Sequence, residues 1–251
     1  MPTVLEEISA YLANPHDPPT PFDELALAAF RFQFDHGPAY RKLCERRGAT
    51  PDSVTTWRDV PMVPPSAFKS LDLSTAPAET TFRSSGTGGE RSEHGHPFLD
   101  LYRRAIDASF PRFALPAAAP IPMLSLVPTA ADLPDSSLSF MIDHVLATWG
   151  DPAKSVCAIG PRGVDAVASR SWAGARQREG RPVLVIATAL ALDQWLTALA
   201  RQELKFRLPA GSVVFETGGF KGKEHEVTRE ALIDGIELRL HLPRTRIVRE
   251  Y

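Results

Sequence analysis

Apolar side chains recur at helical spacing from the start of the chain. Val4, Leu5, Ile8 and Leu12 share one side of a first helix, which the breaker run Asn14 to Pro21 ends. A second helix is expected from about Phe22 to Asp35, with Leu25, Ala29 and Phe32 on one stripe and Asp23 as its cap. Gly37-Pro38 punctuates it, and Pro38 suits the first turn of a third helix running to about Arg47. Thr50-Pro51 reads as a further cap and first turn. Val60 to Pro65 holds three prolines in six residues and is expected to be extended.

After Thr80 short β-rich runs alternate with helical periods. The predicted strands are Thr80–Arg83, Ile121–Val127, Ser155–Ile159, Pro182–Thr188, Ser212–Glu216 and Thr245–Arg249. Helical periods fall at about 97–113, 137–149, 163–179, 189–204 and 225–234. Strands joined by helical crossovers imply an α/β fold, a mostly parallel sheet flanked by helices. A helical N-terminal subdomain, 1–75, would precede an α/β nucleotide-binding region, 76–251. Ligands of such sheets bind at loops leaving the carboxyl ends of strands.

Charge narrows the function classes. The 251 residues carry 28 basic and 30 acidic side chains, a net charge of -2, which argues against a nucleic-acid binder working by bulk charge. No apolar run reaches the ~20 residues of a membrane span. The N-terminus lacks the basic start and apolar stretch of a secretory signal. The two cysteines, Cys44 and Cys157, have no metal spacing, and both are expected to be small buried residues of a reduced, cytoplasmic protein. Proline, at 23 residues, is about 9% of the chain against roughly 5% on average, and it marks element boundaries.

The most informative segment is Ser84-Ser85-Gly86-Thr87-Gly88-Gly89-Glu90-Arg91-Ser92. It follows a β-type run and is expected to lead into a helix. Glycines let the backbone approach a ligand closely, and hydroxyls with free N–H groups can surround phosphate oxygens. Arg91 adds charge. A Walker A loop would need Gly-Lys-Ser/Thr, where this chain has Gly89-Glu90-Arg91. The dinucleotide fingerprint would need glycine at Arg91. No Gly-x-Ser-x-Gly elbow exists. From composition alone, a surface turn rich in serine and glycine is an equal reading.

The surrounding pieces carry a resemblance. Val63-Pro64-Pro65-Ser66-Ala67-Phe68-Lys69 stands ahead of the loop. Phe82 to Gly89 follows, with Ser92 and His94 behind. Ser136-Ser137-Leu138-Ser139-Phe140-Met141 opens a helix, and Leu208 to Ser212 precedes Glu216-Thr217-Gly218-Gly219-Phe220-Lys221-Gly222. In order and spacing this resembles the adenylate-forming superfamily, and within it the acyl-protein synthetase (LuxE-like) family, from about Val60 to Tyr251. Two departures stand out. Gly88 replaces a second threonine, and Ser92 stands where many relatives have lysine.

The resemblance implies the N-terminal-domain fold of adenylate-forming enzymes. It also implies ATP and Mg2+ as cofactors, with a carboxylic acid, a fatty acid in this family, activated to an acyl-adenylate. The acyl group would pass to a thiol acceptor, a protein cysteine or CoA, supplied elsewhere, and partners in an enzyme complex fit this scheme. It places Ser84, Ser85, Gly86, Thr87, Gly88, Gly89, Arg91 and Ser92 around the phosphates. Gly218, Gly219, Phe220, Lys221 and Tyr251 would line the nucleotide, and Asp132, Ser136 and Ser137 the acyl pocket. The family continues at Tyr251 into Tyr-Gly-x-Thr-Glu and then a C-terminal lid, so the sequence given is expected to be the large N-terminal domain. A non-catalytic or incomplete member, acting as a binding or assembly module with a partner, is the alternative. No residue is singled out as a protein acid or base.

Other candidates carry less. His94-Gly95-His96 lacks a third metal ligand, and catalytic zinc needs three, so His94 is expected to steady the loop or face the phosphates. His144 is expected to be an ordinary helix residue. Arg170, Arg176, Arg178 and Arg181 read as a solvated helix face.

Overall fold

The computed structural model describes residues 3–84, 91–218 and 227–250. The chain forms two compact units, residues 1–109 with 135–137, and residues 110–134 with 138–251.

The first unit opens with helix α1 (Val4–Ala13), whose Thr3 and Glu6 form a reciprocal capping box. Helix α2 (Phe22–His36) starts at Pro21 with no side-chain cap. Asp23 therefore sits inside the first turn, favouring the helix dipole instead of capping it. Helix α3 (Pro38–Arg46) carries Pro38 at its first turn, as expected. Thr50-Pro51 makes only a local turn, in which Ser53 N–H donates to Thr50 Oγ1 at 3.3 Å. Phe30, Tyr40, Cys44 and Val54 form the core of this unit, with Val60 and Val63 of the proline-rich segment packed against it. Short 3-10 turns at Trp57–Asp59 and Pro65–Lys69 bracket that segment.

Strand β1 (Thr80–Arg83) lies where predicted, but its partner is β2 (Glu93–His96), and the two pair antiparallel with Phe82 opposite His94. The glycine-rich segment thus joins two strands and does not lead into a helix. Strand β2 escapes the sequence reading because His94-Gly95-His96 has no apolar alternation and includes a glycine. Helix α4 (Leu99–Phe113) follows β2.

The second unit holds a five-stranded parallel sheet. Its strands are β3 (Met123–Leu126), β4 (Val156–Cys157), β7 (Leu184–Thr188), β8 (Val213–Thr217) and β9 (Ile247–Arg249). Two further short strands, β5 (Ile159–Gly160) and β6 (Gly163–Val164), make a separate hairpin. The predicted strand Ser155–Ile159 is therefore split. The connecting helices are α5 (Ser137–Trp149), α6 (Ala166–Glu179), α7 (Ala189–Arg201) and α8 (Arg229–Leu240).

The sheet order is β4-β3-β7-β8-β9, with all pairings parallel. The chain leaves β3 towards β4, then returns past β3 to β7. The order therefore reverses between β3 and β7, and the carboxyl ends of strands at such a reversal are where ligands of parallel sheets bind. Leu124, Leu126, Val185, Ala187 and Val214 pack on one face with Trp172 of α6, Trp195 of α7 and Ile236 of α8. A right-handed crossover from β3 to β4 runs the opposite way across the sheet, so α5 belongs on the other face. Phe215 serves that other face, its ring 5.1 Å from that of Phe110. Strands buried on both faces explain the continuous apolar runs of β3, β7 and β8. No helix among the described residues is long and apolar enough to cross a membrane.

Candidate functional site

In the first unit the hairpin fixes both ends of the glycine-rich segment. Ser84 N–H donates to Ser92 O at 2.9 Å, extending the β1–β2 ladder by one step. Ser92 N–H donates to Ser84 Oγ, also at 2.9 Å. Ser92 Oγ lies 2.9 Å from His94 Nε2, with the donor set by the imidazole tautomer. The His94 ring packs on Phe68 of the second 3-10 turn, centroids 4.6 Å apart. Ser92 is only 7% exposed, so its hydroxyl is anchored and not a freely rotating surface group.

Charges surround this base. Arg83 forks onto Glu93, with Nε at 3.0 Å and Nη2 at 2.9 Å from Oε1. Arg91 Nη1 lies 3.8 Å from Asp135 Oδ2, leaving that guanidinium 59% exposed and able to meet an anion. Arg83 N–H donates to Asp135 O at 2.8 Å, tying the segment after the β3 loop to the hairpin. His96, on the apolar side with Phe82 and Tyr102, is held below the usual histidine range by burial and then by neighbouring His94. A polar cavity of about 490 Å3 opens between the hairpin and the segment around residues 69–78, with Lys69, Arg91, Thr81 and Glu93 among its lining. Gly95 lets that segment approach, since a Cβ there would stand 2.5 Å from Ser74 Oγ.

In the second unit, β8 ends at Glu216-Thr217-Gly218, on the carboxyl edge of the parallel sheet. Both side chains before the glycine are buried. Burial pushes the Glu216 carboxyl up, against opposing attraction from Arg249 and Arg229. A Cβ on Gly218 would stand 3.1 Å from Arg249 Nη2, so the glycine gives that guanidinium room to reach Glu216.

The loop after β3 is braced by local hydrogen bonds. Thr129 Oγ1 donates to Asp132 Oδ2 at 2.7 Å, and Asp132 is exposed. Asp143 accepts from Ala130 N–H at 2.8 Å. Ser136 is half-buried, Ser137 is exposed, and Ser137 O accepts from Tyr102 Oη at 3.3 Å. Asp132, Ser136 and Ser137 line none of the described cavities.

Of the remaining predicted residues, Ser84, Arg91 and Ser92 are brought together at the hairpin base. Ser85, Gly86, Thr87, Gly88, Gly89, Gly219, Phe220, Lys221 and Tyr251 lie outside the described residues. Cys44 is buried, but Cys157 is exposed at the end of β4, correcting the expectation for it. Its edge strand has only two residues and leaves the residue exposed, although the thiol is partly buried where it donates to Val127 O at 3.4 Å, and that burial pushes it up. Among the described residues, no three His, Cys, Asp or Glu side chains gather to hold a metal. Phe68 and Glu216 are the site residues that sequence reasoning gave no role. The Phe-Lys pair ahead of the loop and the acid before Thr217-Gly218 were their only signals.

No protein-family model and no curated protein matches the chain. Solved structures do. One is an open conformation of 2-hydroxyisobutyryl-CoA ligase in complex with 2-HIB-AMP and CoA, with a TM-score of 0.58 and 15% identity over 86% of this chain. The chain spans about half, 47%, of that ligase. The likeness establishes the fold alone, an α/β domain with a parallel five-stranded sheet flanked by helices, shared with that ligase.

Proposed function

We propose that this chain is the nucleotide-binding part of an adenylate-forming enzyme that activates a carboxylic acid with ATP and passes the acyl group to a thiol. The observation that carries the reading is the hairpin base. Ser84, Ser92 and Arg91 put two hydroxyls and an exposed guanidinium at the ends of a segment holding three glycines. This donor set suits phosphate oxygens. The fold shared with a CoA ligase supports it further.

The chemistry asks for little acid or base. A carboxylate oxygen attacks the α-phosphorus of ATP, the bond to the bridging oxygen of the β-phosphate breaks, and pyrophosphate leaves. A thiolate then attacks the acyl carbonyl, and AMP departs. The barrier in the first step is the approach of an anion to a polyanion. Donors fixed before the nucleotide arrives lower it without reorganisation, and holding both reactants together lowers it again. A bound magnesium ion would supply further charge neutralisation at the phosphates. Within the first unit the residues present fit the phosphates of such a nucleotide: Ser84 Oγ, Ser92 Oγ and the exposed Arg91 guanidinium. A fatty acid, the acyl-protein synthetase (LuxE-like) branch, and a protein cysteine or CoA as acceptor are the finer reading from sequence resemblance.

Carboxylate-dependent exchange of labelled pyrophosphate into ATP tests the reading. Exchange with at least one of a panel of fatty and aromatic acids is expected from the full-length protein. Nucleotide binding without exchange would favour the second reading, a binding or assembly module. Absence of both would overturn the proposal.

A further inference from the structure

We propose that the first unit associates with a second copy of this chain through an exposed aromatic strip, which runs from α1 across α2 to the first 3-10 turn and the proline-rich segment. The proposal stands apart from the nucleotide reading, since no residue of the hairpin takes part.

The strip is continuous through ring contacts. The Tyr11 ring of α1 lies 6.4 Å from that of Phe22 in α2, and Phe22 meets Trp57 edge-to-face at 5.6 Å. The Arg58 guanidinium sits over the Trp57 ring at 4.6 Å. Beyond it lies a groove of about 980 Å3, with Trp57, Met62, Pro64, Arg47 and Arg58 among its lining. Phe22 is 51% exposed, Trp57 37% and Met62 84%, three of the eight large apolar side chains left exposed among the described residues. Apolar surface that is contiguous and rimmed by charge marks an interaction site, whereas the same residues scattered singly would not. None of the ten residues of α1 is buried although seven are apolar, so that helix too has apolar surface without full cover.

The groove is stiff before any partner arrives. Pro61, Pro64 and Pro65 restrict the backbone. Tyr40 Oη donates to Pro61 O at 2.9 Å, and Arg47 Nη1 donates to Met62 O at 3.3 Å. Little ordering entropy is left to lose on association.

Charge selects the occupant. Asp23 and Glu24 follow Phe22 in the first turn of α2, both exposed, and Glu7 stands one turn before Tyr11 on α1. The groove end carries Arg47 and Arg58 against one carboxylate, Asp59. Among the described residues none of Asp23, Glu24, Arg47 and Arg58 forms an ion pair. The strip is therefore acidic at its helical end and basic at its groove end, with the rings between. A partner of one charge would match one end and oppose the other. A second copy turned about a two-fold axis matches both. Its Asp23 and Glu24 face Arg47 and Arg58, the reverse contact forms by symmetry, and the rings of Phe22 and Trp57 meet near the axis. Tryptophan, tyrosine and arginine are the side chains that most often dominate binding energy in such contacts.

Sedimentation velocity of the full chain between about 1 and 100 µM reads the association. A reversible monomer–dimer equilibrium with a dissociation constant of about 10 µM is expected. Arg58→Glu and Glu24→Arg are each expected to weaken it about tenfold or more. Mixed in equal amounts, these two variants are expected to recover the dimer, because both cross-contacts then pair opposite charges. Met62 is the most exposed side chain of the strip, so Met62→Glu is expected to keep the fold, checked by circular dichroism, and to leave a monomer.

A wild type that stays monomeric at about 100 µM overturns the proposal. So does a dimer that all three variants leave unchanged, and so does a mixture of Arg58→Glu with Glu24→Arg that stays monomeric. In a monomeric wild type, a shift of tryptophan emission on adding decanoate or a glutamate-rich peptide, absent from Trp57→Phe, would give the groove to a small carboxylate or an acidic partner instead.

Discussion

Glu216 and Arg249 stand opposite each other on neighbouring strands, with carboxylate and Nε 3.5 Å apart and Glu216 only 4% exposed. Burial still wins, and the carboxyl is pushed up from its usual range. The native state therefore holds this proton more tightly than the unfolded chain. Stability from this group is complete below the unfolded pKa and is lost as pH rises through the folded one. Arg249→Ala is expected to cost about 2 kcal/mol at pH 7, less than a fully buried pair because the arginine is partly exposed. The loss should shrink as pH falls towards 5. Urea denaturation of variant and wild type at the two pH values checks this, and a pH-independent loss would contradict it.

The close approach at Gly95 is a second point of leverage. A Cβ there would meet Ser74 Oγ at 2.5 Å and Ala78 Cβ at 3.2 Å. Gly95→Ala is expected to cost about 1–2 kcal/mol, within the range of overpacking. Adding Ser74→Ala removes the nearer clash and should recover much of the loss. A double-mutant cycle by thermal denaturation reads the coupling, and additive losses would show the contact to be unimportant.

Tyr40 Oη donates to Pro61 O at 2.9 Å and ties the proline-rich segment to the helical core. Burial pushes this hydroxyl's pKa upward, so the bond persists through the neutral and mildly alkaline range. Tyr40→Phe strands a buried carbonyl and should lower stability by about 1–2 kcal/mol. The cost should be the same at pH 6 and pH 9, measured by denaturant midpoint.

The two cysteines should behave differently. Cys44 is buried and Cys157 exposed. Burial pushes both thiols up, so a thiol-specific chromogenic reagent at pH 8 is expected to titrate Cys157 more slowly than a free thiol but faster than Cys44 in the native protein, and both quickly in denaturant. Cys157→Ser should remove the faster of the two native phases.

The loop prediction concerns residues outside the described ones. Gly86→Val with Gly89→Val should abolish pyrophosphate exchange and leave the circular dichroism spectrum unchanged, because β1 and β2 are fixed by Ser84 and Ser92 on either side. Surviving exchange would refute the assignment of the loop.

Much of the fold was legible from spacing. The apolar periods of α1, α2, α5 and α7 and the runs that became β3, β7 and β8 follow from burial on one stripe or both faces, a pattern written along the chain. Punctuation by Gly37-Pro38 placed a helix start within a residue. The glycine-rich segment announced a close approach to something, since only its composition was needed for that. What the sequence could not contain was pairing. Thr80–Arg83 read as a strand, yet whether it joined the parallel sheet or a hairpin depended on which edge accepted its N–H groups. Glu93–His96 took that role without any apolar alternation of its own. Likewise Ser92 read as a departure from a motif. Only the hairpin brings it to Ser84 and His94, and only the packing of Phe68 gives that histidine a fixed place. Local propensity and periodicity are properties of neighbours in sequence, and they determined the elements. Hydrogen-bond partners and burial are properties of neighbours in space, and they decided the site.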